Sequence, residues 1–273
     1  MRLRNLAFVL GAAGVATLAY GAVVEARTLV LERRTLALPS WPERLRGYRI
    51  ALLSDFHIGS RLSVDITRRA IAMALDEEPD AVVIAGDFVQ VWRHESPWLL
   101  GECLEPLLMM EGNVIAVPGN HDYNHGDPEF LRMICDELNI KLLRNEVWKH
   151  AGINWVGIDS GTEQRADPVG AMAQTSSGPC IAVWHEPDLV DYLPVGCSLQ
   201  LSGHSHGGQF RFPGGFTPMY TKHGRKYPRG FYPDAPTPLY VSRGIGTTFV
   251  PSRFLCPPEV TILTLVPDDQ FAV

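Results

Sequence analysis

Five short polar segments between residues 55 and 206 carry side chains that bind divalent metals. They are Asp55-Phe56-His57, Gly86-Asp87, Gly119-Asn120-His121-Asp122, Trp184-His185 and Gly203-His204-Ser205-His206. The ligand atoms on offer are carboxylate oxygen, imidazole nitrogen and amide oxygen, with no thiolate. This set favours Mn, Fe or Zn in a reactive site over a structural zinc site. Most of the segments follow an apolar run, so the pattern predicts one shared dinuclear centre.

The elements that position these segments alternate along the first half of the chain. Apolar runs predict strands at residues 48–53, 81–85 and 113–117, and helical spacing predicts helices at 64–78, 97–111 and 127–139. Such alternation is typical of crossover units around a largely parallel sheet. The carboxyl ends of neighbouring strands converge on one crevice, where we expect Asp55, Asp87 and Asn120.

The second half of the chain predicts mainly strands. They cover residues 147–158, 180–184, 199–202, 239–242 and 260–266. Few helical patterns separate them, so we expect a second, more antiparallel sheet packed on the first.

Spacing within the segments suggests how two ions are shared. Asp55 and His57 can reach one ion from the same turn, and Asp87 has two oxygens that can bridge two ions. In an extended segment His204 and His206 point to the same side. An ordinary alternative treats each Asp as a turn former and each His as a satisfied core or surface group. That alternative fits the remaining histidines, which are His94, His125, His150 and His223.

The order of the motifs resembles that of the calcineurin-like metallophosphoesterases over residues 47–266. Matching details follow the last motif, at Gly207-Gly208-Gln209, Arg243-Gly244-Ile245-Gly246 and Pro258-Glu259-Val260-Thr261. With the apolar N-terminus, they are similar to the bacterial membrane-associated branch called YkuE- or YaeI-like. The resemblance implies an α/β (α+β) fold, a four-layer αββα sandwich of two mixed β-sheets flanked by helices.

The resemblance also implies a role for each motif residue. One metal would be bound by Asp55, His57 and His206, and the second by Asn120, His185 and His204. Asp87 would bridge the two metals. His121 would face the substrate phosphate, and Asp122 would orient His121. The expected cofactor is two divalent ions, Mn first, with Fe or Zn as alternatives. The expected reaction is hydrolysis of a phosphodiester or pyrophosphate by a hydroxide that bridges the ions.

The N-terminus differs from the rest of the chain. Residues 6–24 contain no charged side chain, and Arg2 and Arg4 precede them. This stretch is about long enough to cross a bilayer, so residues 1–26 are interpreted as an uncleaved membrane anchor, with a signal segment as the alternative. The predicted localisation is the inner membrane through a single-pass anchor; the alternative is secretion. The remaining predicted units are a linker or lead-in strand at 27–46, the metallophosphoesterase domain at 47–266 and a tail at 267–273.

Two regions are candidates for substrate selection. The loop at 88–100 is apolar and includes Trp92 and Trp98, whereas the segment 211–253 is basic and includes Arg225, Lys226 and Arg243. Ordinary packing and a solvated loop are the alternatives. An anchor, an apolar loop and a basic loop suit a membrane partner and a lipid-linked pyrophosphate. Relatives of this branch are associated with UDP-2,3-diacylglucosamine, in the lipid A pathway.

Two alternative functions are compatible with the sequence. One is a secreted, broad-specificity phosphodiesterase acting on cell-wall phosphate polymers or nucleotides, and the other is a metal-bearing scaffold without activity. The net charge of −6 gives no general attraction to nucleic acid, so no nucleic-acid partner is expected. The five cysteines are odd in number and contain no CxxC pair, so we expect small core residues rather than disulfides.

Overall fold

The computed structural model describes residues 2–268. Its helices are α1 (Arg2–Val23), α2 (Arg61–Leu75), α3 (Ser96–Leu104), α4 (Pro128–Glu137) and α5 (Pro168–Met172). Its strands are β1 (Val30–Leu38), β2 (Tyr48–Leu53), β3 (Ala81–Ala85), β4 (Val114–Val117), β5 (Lys141–Leu142), β6 (Glu146–His150), β7 (Ile153–Ile158), β8 (Cys180–Trp184), β9 (Leu199–Ser202), β10 (Gly230–Tyr232), β11 (Leu239–Val241) and β12 (Glu259–Pro267).

Two of the predicted helices have different bounds for local chemical reasons. Helix α2 begins at Arg61 because Ser60 caps it, accepting a hydrogen bond from the backbone of Ser63 at 3.2 Å. Helix α3 changes to 3₁₀ geometry at Glu105–Met110. Pro106 lies at that change and has no backbone N–H to continue the α-helical ladder.

The strands form two six-stranded sheets. The first has the order β1-β12-β2-β3-β4-β5 and is parallel except between β12 and β2. The second has the order β10-β11-β9-β8-β7-β6 and is antiparallel only at its two outer pairs. The second sheet is therefore more antiparallel than the first, as predicted, although its three central pairs are parallel. Its crossovers use short segments such as α5 and the 3₁₀ turn Pro187–Tyr192, which leave little helical periodicity in the sequence.

Alternation along the central strands creates the layers. In β2, Ile50 and Leu52 pack between the two sheets, whereas Ala51 and Leu53 pack under the helices on the outer face. All four side chains are fully buried, because a strand covered on both sides places successive residues in opposite apolar layers. Two mixed sheets flanked by helices confirm the predicted α/β sandwich.

The segment before residue 47 is part of this domain. Strand β1 pairs in parallel with β12 along nine residues, from Val30 opposite Glu259 to Leu38 opposite Pro267. The prediction of a linker at 27–46 is corrected, and its alternative, a lead-in strand, is found. Strand β1 contains the charged residues Glu32, Arg33 and Arg34, which an edge strand of a sheet can expose to solvent.

The N-terminal segment forms helix α1. Within the part of the chain that the structure describes, no helix combines the length and apolarity needed to cross a membrane. The anchor at 1–26 and the localisation both stay predictions. Most of the predicted tail, residues 269–273, lies outside the described residues.

One cysteine pair departs from expectation. Cys180 and Cys197 are joined as a disulfide, with their Cα atoms 4.4 Å apart. The backbone N–H of Ser198 donates to the carbonyl of Cys180, so the parallel pairing of β8 and β9 brings the two thiols together. Cys103, Cys135 and Cys256 are buried free thiols, as predicted.

Candidate metal centre

The metal-binding motifs meet where the carboxyl ends of the two sheets face each other. Two groups form, each with ligand atoms within 4.8 Å of one another. The first contains Asp55, His57, Asp87 and His206, and the second contains Asp87, His185 and His204. Asp87 belongs to both, as the bridging role requires. Its Oδ2 lies 3.5 Å from Nε2 of His57 and 3.2 Å from Nε2 of His185.

The backbone at this centre is strained. Five of the predicted ligands have positive φ angles between 48° and 69°, namely Asp55, His57, Asp87, His204 and His206. Non-glycine residues adopt this left-handed conformation at a cost on the order of 1 kcal/mol or more each. The cost is tolerated because each strand must turn sharply at its end to aim a ligand at the common centre.

Glycines in the motifs allow carboxylates to approach the backbone. A Cβ atom on Gly119 would lie 2.2 Å from Oδ1 of Asp87, and one on Gly203 would lie 2.5 Å from Oδ2 of Asp55. Both distances are far below van der Waals contact. These two positions therefore require glycine so that the ligand carboxylates can occupy the turn.

Unsatisfied buried atoms test whether the centre fits metal ions. The Nε2 atoms of His57 and His206 face each other at 3.0 Å, and Nε2 of His185, which also faces the centre, is buried without a hydrogen-bond partner. The Oδ1 atom of Asn120 is likewise buried and unpaired. Buried polar groups without partners are costly and call for an explanation. Two divalent cations bound by this mixed donor set provide it.

Backbone carbonyls fix two of the imidazoles from behind. Nδ1 of His185 contacts the carbonyl of Ala85 at 2.6 Å, and Nε2 of His204 contacts the carbonyl of Lys222 at 2.5 Å. A ring nitrogen that donates to a carbonyl leaves the other one as the ligand atom. His185 therefore presents Nε2 to the centre, and His204 presents Nδ1.

Burial sets most of the imidazoles in the neutral form that binds metals. It lowers the pKa of His57 to about 3 and that of His204 to about 4, and it holds the pKa of His206 well below its usual value. His185 is the exception. Although burial disfavours its charged form, the carboxylate of Asp87 raises the pKa of His185 to about 10. A cation bound there would displace that proton.

His121 lies beside the ligands without joining either group. Its ring packs edge-on against His57 at a centroid distance of 4.7 Å, and its Nδ1 contacts the carbonyl of Gln90 at 2.9 Å. The side-chain amide of Asn124 is 3.1 Å from the same nitrogen. These polar contacts all engage Nδ1, so Nε2 is the ring nitrogen that they leave free. His121 thus lies outside both ligand groups, and its role toward the substrate stays a prediction.

The predicted contact between Asp122 and His121 is replaced by a different arrangement. The buried carboxylate of Asp122 accepts hydrogen bonds from the backbone of Val89 at 3.1 Å and Gly119 at 2.8 Å. It thus ties the loop after β3 to the loop after β4. Burial, helped by the charge of Asp87, raises the pKa of Asp122 to about 7. The carbonyl of Gln90, not Asp122, orients His121.

Replacing Asp122 by Ala should therefore destabilise the fold more than it alters metal binding. Two buried amides would lose a carboxylate acceptor, which predicts a loss of about 2–4 kcal/mol in the free energy of unfolding. Urea unfolding measures this loss, and metal analysis checks the bound ions. Asp136→Ala, at an exposed helical position, is the control. If the variant keeps its stability but hydrolyses substrate more slowly, the predicted direct contact between Asp122 and His121 would be supported instead.

The two tryptophans proposed for substrate selection have structural contacts. Trp92 is buried, and its Nε1 donates to the carbonyl of Asp122 at 2.7 Å. Trp98 is exposed on α3, with the guanidinium of Arg61 4.5 Å from its ring centroid. Trp92 therefore fastens the apolar loop to the His121 turn, while Trp98 faces a groove between α3 and α4.

The basic residues proposed for the same role are largely engaged with other groups. Nζ of Lys226 contacts the carboxylate of Asp191 at 2.7 Å, and Arg243 is paired with Glu32 and Glu259. The guanidinium of Arg225 lies 5.8 Å from the ring centroid of Tyr220. Of the three, Arg225 alone forms no ion pair with a carboxylate of the described residues.

Two residues that matter here were not predicted. Gln90 orients His121 through its main chain, which no side-chain pattern could reveal. Arg253 is fully buried, and its guanidinium donates to the carbonyls of four residues. These are Arg243, Gly244, Gly246 and Cys256. The Gly244–Gly246 turn also donates to the carbonyls of Ser54 and Asp55, so Arg253 holds the backbone against a metal ligand.

Comparison with known proteins agrees with this centre. Residues 48–208 match the sequence profile of the calcineurin-like phosphoesterases. A metallophosphoesterase of Helicobacter pylori is 35% identical over 233 residues, covering 81% of this chain and 60% of the relative. The chain thus spans less than two thirds of that relative. The metallophosphoesterase YkuE of Bacillus subtilis is 28% identical, covering 90% and 88% of the two chains. The phosphodiesterase YaeI of Escherichia coli is 27% identical, covering 84% and 90%.

Proposed function

This chain belongs to the calcineurin-like phosphoesterase family, and we propose that it hydrolyses phosphodiesters or pyrophosphates at a dinuclear metal centre. The observation that carries the proposal is the position of Asp87, which both ligand groups share. One carboxylate between two cations is the arrangement that two-metal phosphoester hydrolysis needs. Mn is the metal that we propose first, with Fe or Zn as alternatives.

The protein residues divide the work between them. Bound divalent cations would supply the activated nucleophile and neutralise the phosphate oxygens. Asp55, His57 and His206 would hold one cation, and Asn120, His185 and His204 the other. His121 has its Nδ1 fixed by the carbonyl of Gln90. When its Nε2 carries a proton, His121 would donate that proton to the oxygen of the leaving group.

Substrate choice must come from groups outside the metal centre, because every phosphodiester presents the same phosphate to it. A lipid-linked nucleotide such as UDP-2,3-diacylglucosamine is one specific proposal. Cell-wall phosphate polymers or nucleotides are the alternative. The name phosphodiesterase, carried by the Escherichia coli relative, supports the bond type and favours neither substrate.

A three-substrate assay tests this function. The purified protein is loaded with Mn and given bis-p-nitrophenyl phosphate, p-nitrophenyl phosphate and UDP-2,3-diacylglucosamine. We expect turnover of the diester well above that of the monoester, and loss of turnover after chelation. Tight binding of two ions without turnover of any substrate would instead identify a metal-bearing scaffold.

A further inference from the structure

A cleft of about 370 Å³ opens directly beside the metal centre. We call it the side cleft. Its walls are the end of α1 at Ala22 with the 3₁₀ turn that follows it at Ala26, the start of α2 at Leu62 and Ile66, and the loop 245–251. This volume is within the range of pockets that bind small organic molecules.

The side cleft is continuous with the proposed reaction site. His57, a predicted metal ligand, lines its inner end together with Gln90. The carbonyl of Gln90 is the group that orients His121. A phosphate bound at the metal centre would therefore have one of its ester groups beside the cleft opening.

The chemistry of the walls favours an apolar group with an anionic neighbour. Apolar side chains such as Leu62, Ile66 and Phe249 line it together with serine and threonine hydroxyls, and no carboxylate is among the lining residues. Arg27 and Arg93 are exposed beside it. Neither forms an ion pair with a carboxylate of the described residues, whereas many other arginines of the fold do.

Specific contacts hold the α1 wall in place. The hydroxyl of Ser252 donates to the carbonyl of Leu18 at 3.0 Å. The buried carboxylate of Glu25 accepts a hydrogen bond from the backbone of Cys256 at 2.5 Å. A Cβ atom on Gly21 would lie 2.2 Å from the carbonyl oxygen of Arg253. The end of α1 is therefore seated closely on the 252–256 segment, as a wall of defined position.

The opposite wall carries an unusual aromatic residue. Phe249 is 79% exposed and has a φ of 58°. It touches the side cleft and also a smaller cavity lined by His206. A bulky residue in the left-handed region with its ring in solvent is costly on both counts. Contact with a bound apolar group would repay that cost.

We infer that the side cleft binds the organic group of the substrate, and that this group is an apolar chain on a phosphodiester with further negative charge. The inference rests on the proposed function and specifies its substrate class as amphiphilic phosphate esters. It also assigns α1 a role as a specificity-determining wall of the active site. Arg27 and Arg93 would bind the additional anionic group.

A series of p-nitrophenyl alkyl phosphates, from methyl to octyl, tests the inference with the Mn-loaded full chain. Full burial of one methylene group improves binding by about fourfold, so partial burial of the longer chain predicts an increase of about a hundredfold in kcat/KM from methyl to octyl. Ala26→Phe, which fills the cleft, should reduce this ratio at least about tenfold. Phe249→Ser should reduce it in the same direction.

Matched controls separate the cleft from general damage. Met109→Ser removes an apolar side chain of similar exposure, 78%, outside the cleft lining, and Ala173→Phe adds an aromatic ring at another exposed position. Neither should change the octyl-to-methyl ratio. Calorimetry with octyl phosphate and methyl phosphate, with and without Mn, provides a readout independent of turnover.

The outcomes distinguish the two proposals. Hydrolysis of the methyl ester with no gain for longer chains would overturn the cleft assignment while leaving the phosphodiesterase function intact. No hydrolysis of any ester would overturn the function. In that case, the cleft assignment would still be supported if octyl phosphate binds more tightly than methyl phosphate and if Ala26→Phe abolishes that difference. Equal binding of the two phosphates would overturn the cleft assignment.

Discussion

Replacing Asp87 by Asn should reduce phosphodiester hydrolysis by more than about 10⁴-fold. A lost general acid accounts for about 10²–10⁴-fold, and this change goes further because it alters both ligand groups at once. Asp87 lies within 3.5 Å of His57 and within 3.2 Å of His185. The amide keeps the shape of the side chain and removes the negative charge that two adjacent cations require. Metal content, measured by mass spectrometry, should fall below two ions per chain.

A second buried aspartate provides the matched control. Asp159 accepts from Nε of Arg144 at 3.0 Å and belongs to neither ligand group. Asp159→Asn should lower the midpoint of thermal unfolding and leave two metals bound. If Asp87→Asn retains two ions and the normal rate, the bridging assignment is wrong. Circular dichroism spectra of both variants establish that they are folded.

His121→Ala should lower kcat by about two to four orders of magnitude, the range for a lost proton donor. Metal content should stay near that of the unchanged protein, because His121 belongs to neither ligand group. The loss should shrink for substrates with good leaving groups, since p-nitrophenolate departs without a proton. Comparing bis-p-nitrophenyl phosphate with a dialkyl phosphate measures this difference.

His94→Ala is the control for this variant, since His94 is an exposed histidine a few residues beyond Gln90. It should affect neither the rate nor the metal content. Loss of metal from His121→Ala would make His121 a ligand and would contradict the proposed division of roles. A loss that is equal for good and poor leaving groups would instead point to stabilisation of charge on the phosphate.

The ligand set could be derived from the sequence because the determining signals are local. Asp55, Asp87 and Asn120 each follow an apolar strand, and parallel strands must bring their carboxyl ends to one edge. The central sheet and the flanking helices follow from the same alternation. The motif resemblance added the roles of His185 and His204, which no single spacing could assign to one ion or the other.

Contacts between distant segments had to come from the tertiary structure. The sequence suggested Asp122 as the partner of His121, yet the loops place the carbonyl of Gln90 there and turn Asp122 toward backbone amides. Main-chain groups are identical at every residue, so a pattern of side chains cannot show which carbonyl will accept a hydrogen bond. The partners of Trp92, Trp98, Lys226 and Arg243 were hidden for a related reason. Their surface roles depend on which neighbour the fold brings near.

The position of the N-terminus shows the same limit most clearly. Its apolar composition predicts a membrane anchor, and this stays a prediction, but composition cannot show which other segments the stretch contacts. In the folded chain β1 completes the first sheet, and Gly21 and Glu25 seat the end of α1 on the 252–256 segment. These contacts join residues more than 200 positions apart. The sequence determined which side chains could form the metal centre. Only the tertiary structure decided which segments lie beside that centre, because contacts between residues distant in the chain form only when it is folded.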